Sequence, residues 1–595
     1  MTTLFKHIKA KEWLMFIIAV GFITTQVWLD LRLPEYMRRI MTELNVEYGV
    51  SINTSAIWRL GASMLGFTLL SALASIIIGF LISRVAAILG KRLRELVFNK
   101  TQTFSNAEIK NFSTASLITR TTNDVTQVQM WIAMGMQILV RAPIMAIWAL
   151  SIVATMSWQW TAATGVAVAV ISLLILILVL TVIPKFRRIQ KLQDNLTKVT
   201  RENLTGLRVV RAYNAEEFEQ SKFEGANQDI TKNHLFTGRM MGLLDPVIWL
   251  VMNFLTVGIF VIGAVLISQA PLSPELTERG ILFANMTVFS TYAMFILMSF
   301  MLTVMVFAML PRAQVSANRI KEVLKTKTTV INGHLVNPVT ELKGVLELNN
   351  VSFKYPSADE SVLKNINLKI NQGETVAFIG STGSGKSTLI NLIPRFYDAT
   401  EGEVLLDGIN VKEYQLASLH NKLAYVSQRP TLFNGSVYDN VTLGTTNLGK
   451  PSIEEVEHAL KLAQSDFVFE MEEGLTSPIK QDGKNLSGGQ KQRISIARAI
   501  ARNPEIIIFD DSFSALDYKT DKKLRAALAK NLKDTTCLIV AQRIGTIKNA
   551  DKIIVLHEGE IVGAGKHQEL LKNCAVYKEI ALSQLSEEEL ANDQK

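Results

Sequence analysis

The chain has 595 residues, enough for several domains. Hydrophobic residues make up 48% of it and charged ones only 19%, against a usual charged share of about 25%. The apolar excess lies in the first half as long uncharged runs, which excludes an ordinary soluble chain there. The net charge of +9 matches the excess of Lys and Arg on the cytoplasmic loops of membrane proteins, so a lipid bilayer and no nucleic acid is the expected partner. Two cysteines, Cys537 and Cys574, exclude a disulfide framework and suit a reducing cytosol.

The start, "MTTLFKHIKAKEWLMF", is basic and then apolar like a signal peptide. No small-residue cleavage pattern follows, so a retained first helix is expected. Six apolar segments reach the ~20 helical residues that a hydrocarbon core requires. They lie near 13–31, 57–86, 131–156, 160–182, 246–267 and 281–310, and their unbroken apolar length predicts helices. The links "SWQW" (157–160) and "SQAPLSPELTERG" (268–280) are short and together hold one basic residue, Arg279. The links 87–130 and 183–245 are long and basic, with Lys91, Arg92, Arg94, Lys185, Arg187 and Arg188. Both termini and the long links are therefore expected on the cytoplasmic side. Against that pattern, the outer 32–56 loop carries Arg32, Arg38 and Arg39.

In "FRRIQKLQDNLTKVTRENLTGLRVVRAYNAEEFEQSKF" apolar residues recur at helical spacing. About 25 residues of helix on each side would project roughly 40 Å beyond the bilayer, as a solvated hairpin or as levers touching a cytoplasmic domain. Arg141 in the third span and Asp245 before the fifth are ionisable residues at or near membrane depth, for which structural pairing or interfacial placement is expected.

From residue 326 the composition changes to alternating strand and helix signals, beginning with "GVLELNNVSFKY". The expected organisation is a polytopic α-helical membrane domain (1–325) with lever helices 87–130 and 183–245, a linker (326–343), an α/β domain (344–580) and a polar tail (581–595). "GSTGSGKST" follows the apolar strand "TVAFI" and opens the helix "TLINLI". Its residues Gly380, Ser381, Thr382, Gly383, Ser384, Gly385, Lys386, Ser387 and Thr388 fit a phosphate-binding loop in the required strand–loop–helix context. The glycines let backbone N–H groups close around phosphates at a helix N-terminus. Lys386 would reach the β- and γ-phosphates of ATP, and Ser387 would offer its hydroxyl to Mg²⁺. "IIIFD" ends on Asp510, a carboxylate for the metal at the end of a buried strand.

A phosphate loop, then Leu486-Ser487-Gly488-Gly489-Gln490, then two aspartates and "SALD" resemble, in that order, the nucleotide-binding domain of an ABC transporter. With six preceding spans, the chain resembles an ABC exporter half-transporter along nearly its whole length, with an ABC-type P-loop ATPase domain. The resemblance implies that Tyr355 stacks on adenine and that Gln428 senses Mg²⁺ and the attacking water. It implies that Ser514 to Asp517 communicate across a dimer. It further implies that Ser487, Gly488, Gly489 and Gln490 act on the ATP of the opposite subunit, so that two ATPs are sandwiched between two domains.

Three positions depart from the family pattern. The residue after Asp510 is Asp511 instead of Glu, one methylene shorter, so its carboxylate stands back by ~1.5 Å. The switch histidine is replaced by Gln542, which can hydrogen-bond a phosphate but cannot act as an imidazole. Gln481 stands where many relatives carry Glu. These losses beside an intact signature resemble the degenerate-site subunit of a bacterial heterodimeric multidrug exporter. The expected partner is a homologous half-transporter that carries the catalytic Glu and His, with hydrolysis at this chain's own site slow. A regulatory or channel-like ABC protein is the alternative of a different class, but the chain has no obvious gating segment. An importer is disfavoured, because importers usually keep spans and motor on separate chains. A soluble ABC ATPase is excluded by the spans. For the substrate, Asn285, Tyr292 and Ser299 lie seven residues apart in the sixth span with Phe289 and Phe295 beside them. The stripe would suit bulky hydrophobic or amphipathic small molecules, drug-like or lipid-like, if it faced a cavity. Helix packing is the other reading.

Overall fold

Long apolar runs force the backbone to satisfy its own hydrogen bonds, and helices do so within one segment. The computed structural model describes residues 6–44, 53–269, 277–356, 358–444 and 449–585. The first five residues of the basic start, 45–52 of the 32–56 loop, 270–276 of the second short link and 586–595 of the tail lie outside the described residues. The chain divides into two compact units: Met1–Lys100 with Ala115–Lys325, and Thr101–Thr114 with Thr326–Lys595.

The first unit is helical: α1 (Ala10–Leu44), α2 (Thr54–Gln102), α4 (Thr114–Thr121), α5 (Asn123–Met130), α6 (Met136–Ala154), α7 (Trp158–Ala212), α8 (Glu216–Gly242), α9 (Leu244–Gln269) and α10 (Thr277–Lys325). The label α3 belongs to Asn106–Phe112, which groups with the second unit. Among the described residues, six helical stretches are long and apolar enough to cross a membrane. The second long link is helix, turn, helix as expected, with α7 running on to Ala212 and α8 starting at Glu216. The first long link is more broken. Ser105 caps α3 by a reciprocal capping box with Glu108, Ser113 has a positive φ of 60°, and a five-residue π-helical turn, Trp131–Gly135, joins α5 to α6.

The core of this unit joins Val27 and Leu31 of α1, Met145 and Ala149 of α6, Trp160 and Ile171 of α7, Met252 and Ile259 of α9, and Phe289 and Tyr292 of α10. Trp160 Nε1 donates to Ile259 O at 3.1 Å. Arg141 is paired as expected: its Nη2 donates to Asp30 Oδ2 at 3.1 Å, while Ser71 Oγ donates to Asp30 Oδ1 at 2.6 Å. One carboxylate of α1 thus ties α2 and α6 together. The stripe on the sixth span packs inward. Phe289 is fully buried, Ser299 is buried, and the Tyr292 hydroxyl donates to Leu31 O at 2.8 Å. That favours helix packing for Tyr292, Phe289 and Ser299 over the lining of a substrate cavity.

Among the described residues the second unit holds two larger sheets and a two-stranded one, Gly435–Ser436 with Pro478–Ile479. A four-stranded antiparallel sheet runs in the order Leu363–Ile370, Leu346–Phe353, Glu401–Leu406, Ile409–Asn410. A six-stranded sheet runs in the order Glu560–Gly565, Lys552–His557, Thr375–Gly380, Thr536–Val540, Ile506–Asp510, Leu423–Val426. Five of its strands are parallel and buried on both faces, as their continuous Val/Ile/Leu character requires. The strand that ends in the phosphate loop is separated from the strand of Asp510 by Thr536–Val540. That inserted strand delivers Gln542 between the two.

Candidate functional site

The phosphate loop starts where the strand Thr375–Gly380 ends and closes at the helix Lys386–Leu392. Gly383 and Gly385 have φ of 87° and 98°, a region that favours glycine. A Cβ on Gly380 would collide with Leu556 O, whereas beside Gly383 there is open space. The loop is therefore tight against the sheet and open above, which is the form of an anion cradle. Lys386 Nζ donates to Gly380 O and Ser381 O, both at 2.8 Å, and to Ser384 Oγ at 3.3 Å. Burial pulls its ammonium below the ordinary lysine range, while Asp511 and Asp510 oppose that shift.

Ser387 Oγ donates to Asp510 Oδ1 at 3.0 Å. This hydroxyl–carboxylate pair beside the loop is the hard oxygen donor set that Mg²⁺ takes, with waters and phosphate oxygens completing its shell. Bound there, Mg²⁺ would neutralise phosphate charge. Gln428, expected at the metal as well, donates through Nε2 to Asp511 Oδ2 at 3.1 Å. Tyr355 lies beside the loop, its hydroxyl 3.0 Å from Thr388 Oγ1.

Asp511 sits at the turn after the strand, with φ of 48°, a conformation that Asp tolerates better than most residues. Its backbone N–H donates to Val540 O at 3.0 Å. Its carboxylate oxygen Oδ2 accepts two amide donors, Gln542 Nε2 at 2.8 Å and Gln428 Nε2 at 3.1 Å. Burial raises its carboxyl above the ordinary aspartate range, and Asp510 adds to this; the Gln428 and Gln542 amides and Lys386 act in the other direction. Gln542 is held in turn: Gln584 Nε2 donates to Gln542 O at 2.7 Å.

The signature residues form a second group. Ser487 caps the helix Gly488–Ala501. Gln490 N donates to Ser487 Oγ at 3.3 Å and Ser487 N donates to Gln490 Oε1 at 2.9 Å, so Gln490 completes a capping box. A Cβ on Gly488 would meet nothing within 4 Å, which leaves this end of the helix open to an anion. Asp517 caps the next helix by accepting from Thr520 N at 3.0 Å, and Ser514 Oγ donates to Asp511 O at 2.8 Å.

Sequence reasoning missed Tyr425. Its hydroxyl donates to Asp510 Oδ2 at 2.9 Å and lies 3.3 Å from Asn391 Oδ1. Burial pushes its phenol well above the ordinary tyrosine range, and the Asp510 charge adds to this. The signal was the parallel strand "LAYV", which pairs Tyr425 with Ile508, two residues before Asp510.

Residues 16–285 match the family of the ABC transporter transmembrane region, and residues 363–514 match the ABC transporter family. The chain is 39% identical over 551 residues to an uncharacterized ABC transporter ATP-binding protein of Mycobacterium tuberculosis, covering 92% of this chain and 93% of that one. The chain belongs to the ABC transporter family. This ABC transporter is also 33% identical over 576 residues to an uncharacterized ABC transporter ATP-binding protein of Bacillus subtilis, covering 96% of each. It is 32% identical over 531 residues to the ATP-dependent lipid A-core flippase of Pseudomonas aeruginosa, covering 87% of this chain and 83% of the flippase. In fold it is similar to a bacterial Atm1-family ABC exporter with ATP bound, with a TM-score of 0.76, 22% identity, and 96% and 98% of the two chains covered. This ABC transporter is thus a multi-pass membrane domain fused to an ATPase domain that couples ATP hydrolysis to transport. ABC ATPase domains of this kind bind ATP with Mg²⁺.

Proposed function

We propose that this ABC exporter half works in an unequal pair, in which its own ATP site binds nucleotide tightly and hydrolyses it slowly. The carrying observation is that Gln542 and Gln428 both hydrogen-bond Oδ2 of Asp511. A catalytic carboxylate at this position has to orient a water; Asp511 is one methylene short of Glu and its outer oxygen is occupied by two amides. Misplacing such a group by about 1 Å lowers the rate on the order of 10²-fold. Lys386 and the loop N–H groups would hold the phosphates, and Ser387 and Asp510 the Mg²⁺. Tyr355 would stack on the adenine. Ser487, Gly488 and Gly489, with the helix end open beside them, would complete the second site, whose catalytic Glu and switch His come from a homologous partner half.

In this reading both termini and the ATPase domain lie on the cytoplasmic side, and ATP drives export of hydrophobic or amphipathic compounds across the cytoplasmic membrane. The likeness to a lipid A-core flippase keeps lipid-like amphiphiles beside multidrug-type substrates. The test is to tag the chain at its native locus, purify it in mild detergent and identify what comes with it. A stoichiometric complex with a second ABC half carrying Glu and His is expected. A stable homodimer that turns over ATP briskly without a partner would overturn the proposal.

A further inference from the structure

The adenine-side tyrosine has a neighbour from an unexpected part of the chain. Lys110, in the short helix Asn106–Phe112 of the first inner link, places its Nζ over the Tyr355 ring at 5.2 Å from the centroid. That helix belongs to the same compact unit as Tyr355 and is firmly seated in it. Glu108 Oε1 accepts from Thr329 N at 3.1 Å, and Glu108 Oε2 accepts from Ser105 N at 2.7 Å. Although burial opposes it, these hydrogen bonds hold the Glu108 carboxyl below the ordinary range. Phe104 and Phe112 stack at 5.8 Å across the helix. Lys110 is therefore presented from a fixed base.

The other neighbours of the ring are core residues. Buried Phe353 packs edge-on at 4.8 Å and half-buried Tyr397 edge-on at 5.3 Å. The hydroxyl is tethered to Thr388. Lys110 is exposed and its ammonium stands over one face of the half-buried ring. A base arriving from solvent to stack on Tyr355 needs that same π surface.

We propose that Lys110 is a positioning residue of the adenine pocket, whose ammonium competes with the purine of a nucleoside triphosphate for the open face of Tyr355. Binding of the base then releases Lys110 and reports occupancy of the ATP site to the link Thr101–Thr114. This rests on the reading of Tyr355 as the adenine-stacking residue. By linkage, weakening the Lys110 contact strengthens binding of the base by the same factor. A lysine in the last turn of a helix is also favoured by the helix dipole alone, but that role involves no nucleotide base.

The test uses the full-length chain in nanodiscs and compares the affinities of Mg²⁺–ATP and of Mg²⁺–tripolyphosphate, which lacks the base. Lys110→Met is expected to tighten ATP about two- to fivefold, the size of an exposed cation–π contact. It is expected to leave tripolyphosphate unchanged, and Lys110→Arg, which keeps the cation, to resemble wild type. An unchanged or weakened ATP affinity in Lys110→Met, or an equal change for both ligands, would overturn the inference. Tyr355→Ala separates the two layers. If it weakens ATP but not tripolyphosphate while Lys110→Met changes nothing, only the Lys110 inference falls. If Tyr355→Ala leaves the ratio of the two affinities unchanged, the adenine assignment falls and the inference with it.

Discussion

Gln542 Nε2 lies 2.8 Å from Asp511 Oδ2, and Gln428 Nε2 lies 3.1 Å from the same oxygen. Two exposed amides thus fix a carboxylate whose residue is only 8% exposed. The strand Thr536–Val540, inserted between those of the phosphate loop and of Asp510, brings Gln542 to this point. An amide at this place keeps a hydrogen bond but removes the imidazole.

Restoring both groups should restore hydrolysis. Asp511→Glu combined with Gln542→His is expected to raise turnover at this chain's own site by about tenfold to 10²-fold, the span set by a misplaced catalytic group. Asp511→Glu alone should give part of that gain. Single-turnover ATP hydrolysis measures it, and the partner's turnover should persist in both variants.

Asp511 also makes a pH-dependent contribution to stability. Burial raises its folded carboxyl above the ordinary aspartate range. Its favourable contribution is then full below that range and is lost as pH rises through the folded value. Ionised Asp511 therefore opposes folding at neutral pH. Asp511→Asn is expected to melt higher than wild type at neutral pH, and the difference should close as pH falls into the aspartate range. A gap that widened on acidification would show the opposite sign.

Tyr425 holds the Asp510 carboxylate through a 2.9 Å hydrogen bond. Tyr425→Phe keeps the ring against Phe396 but leaves an Asp510 oxygen without its donor. A hydrogen bond to a charged group contributes about 1.5–3 kcal/mol, so a lower melting temperature of the ATPase unit is expected, followed by thermal unfolding. An unchanged melting curve would mean that solvent replaces the hydroxyl.

Much of this arrangement was legible in the sequence because its motifs are local. The loop Gly380–Thr388, Asp510 after four apolar residues, and the capping pattern Ser487-x-x-Gln490 each lie within one strand, turn or helix end. The helical levers of the second link followed from spacing alone. What the sequence concealed were pairings across long separations. Asp30 meets Arg141 over 111 residues, and Tyr425 meets Asp510 through strand order. Tyr292 was ambiguous, because a polar residue on an apolar helix can face a cavity or cap a neighbouring carbonyl. It caps Leu31 O. The broken first link likewise depended on a capping box and a positive-φ Ser113, which helical spacing does not reveal.

In the proposed unequal pair, this chain's phosphate loop retains ATP while its partner's hydrolyses it. The most direct test is vanadate trapping of the purified complex with a photoreactive ATP analogue, followed by mapping of the labelled nucleotide to each chain. Trapped ADP should be found on the partner, and the peptide containing Lys386 should carry unhydrolysed triphosphate. Trapped ADP in equal share on the Lys386 peptide would show that the two sites hydrolyse alike and rule out the unequal pair.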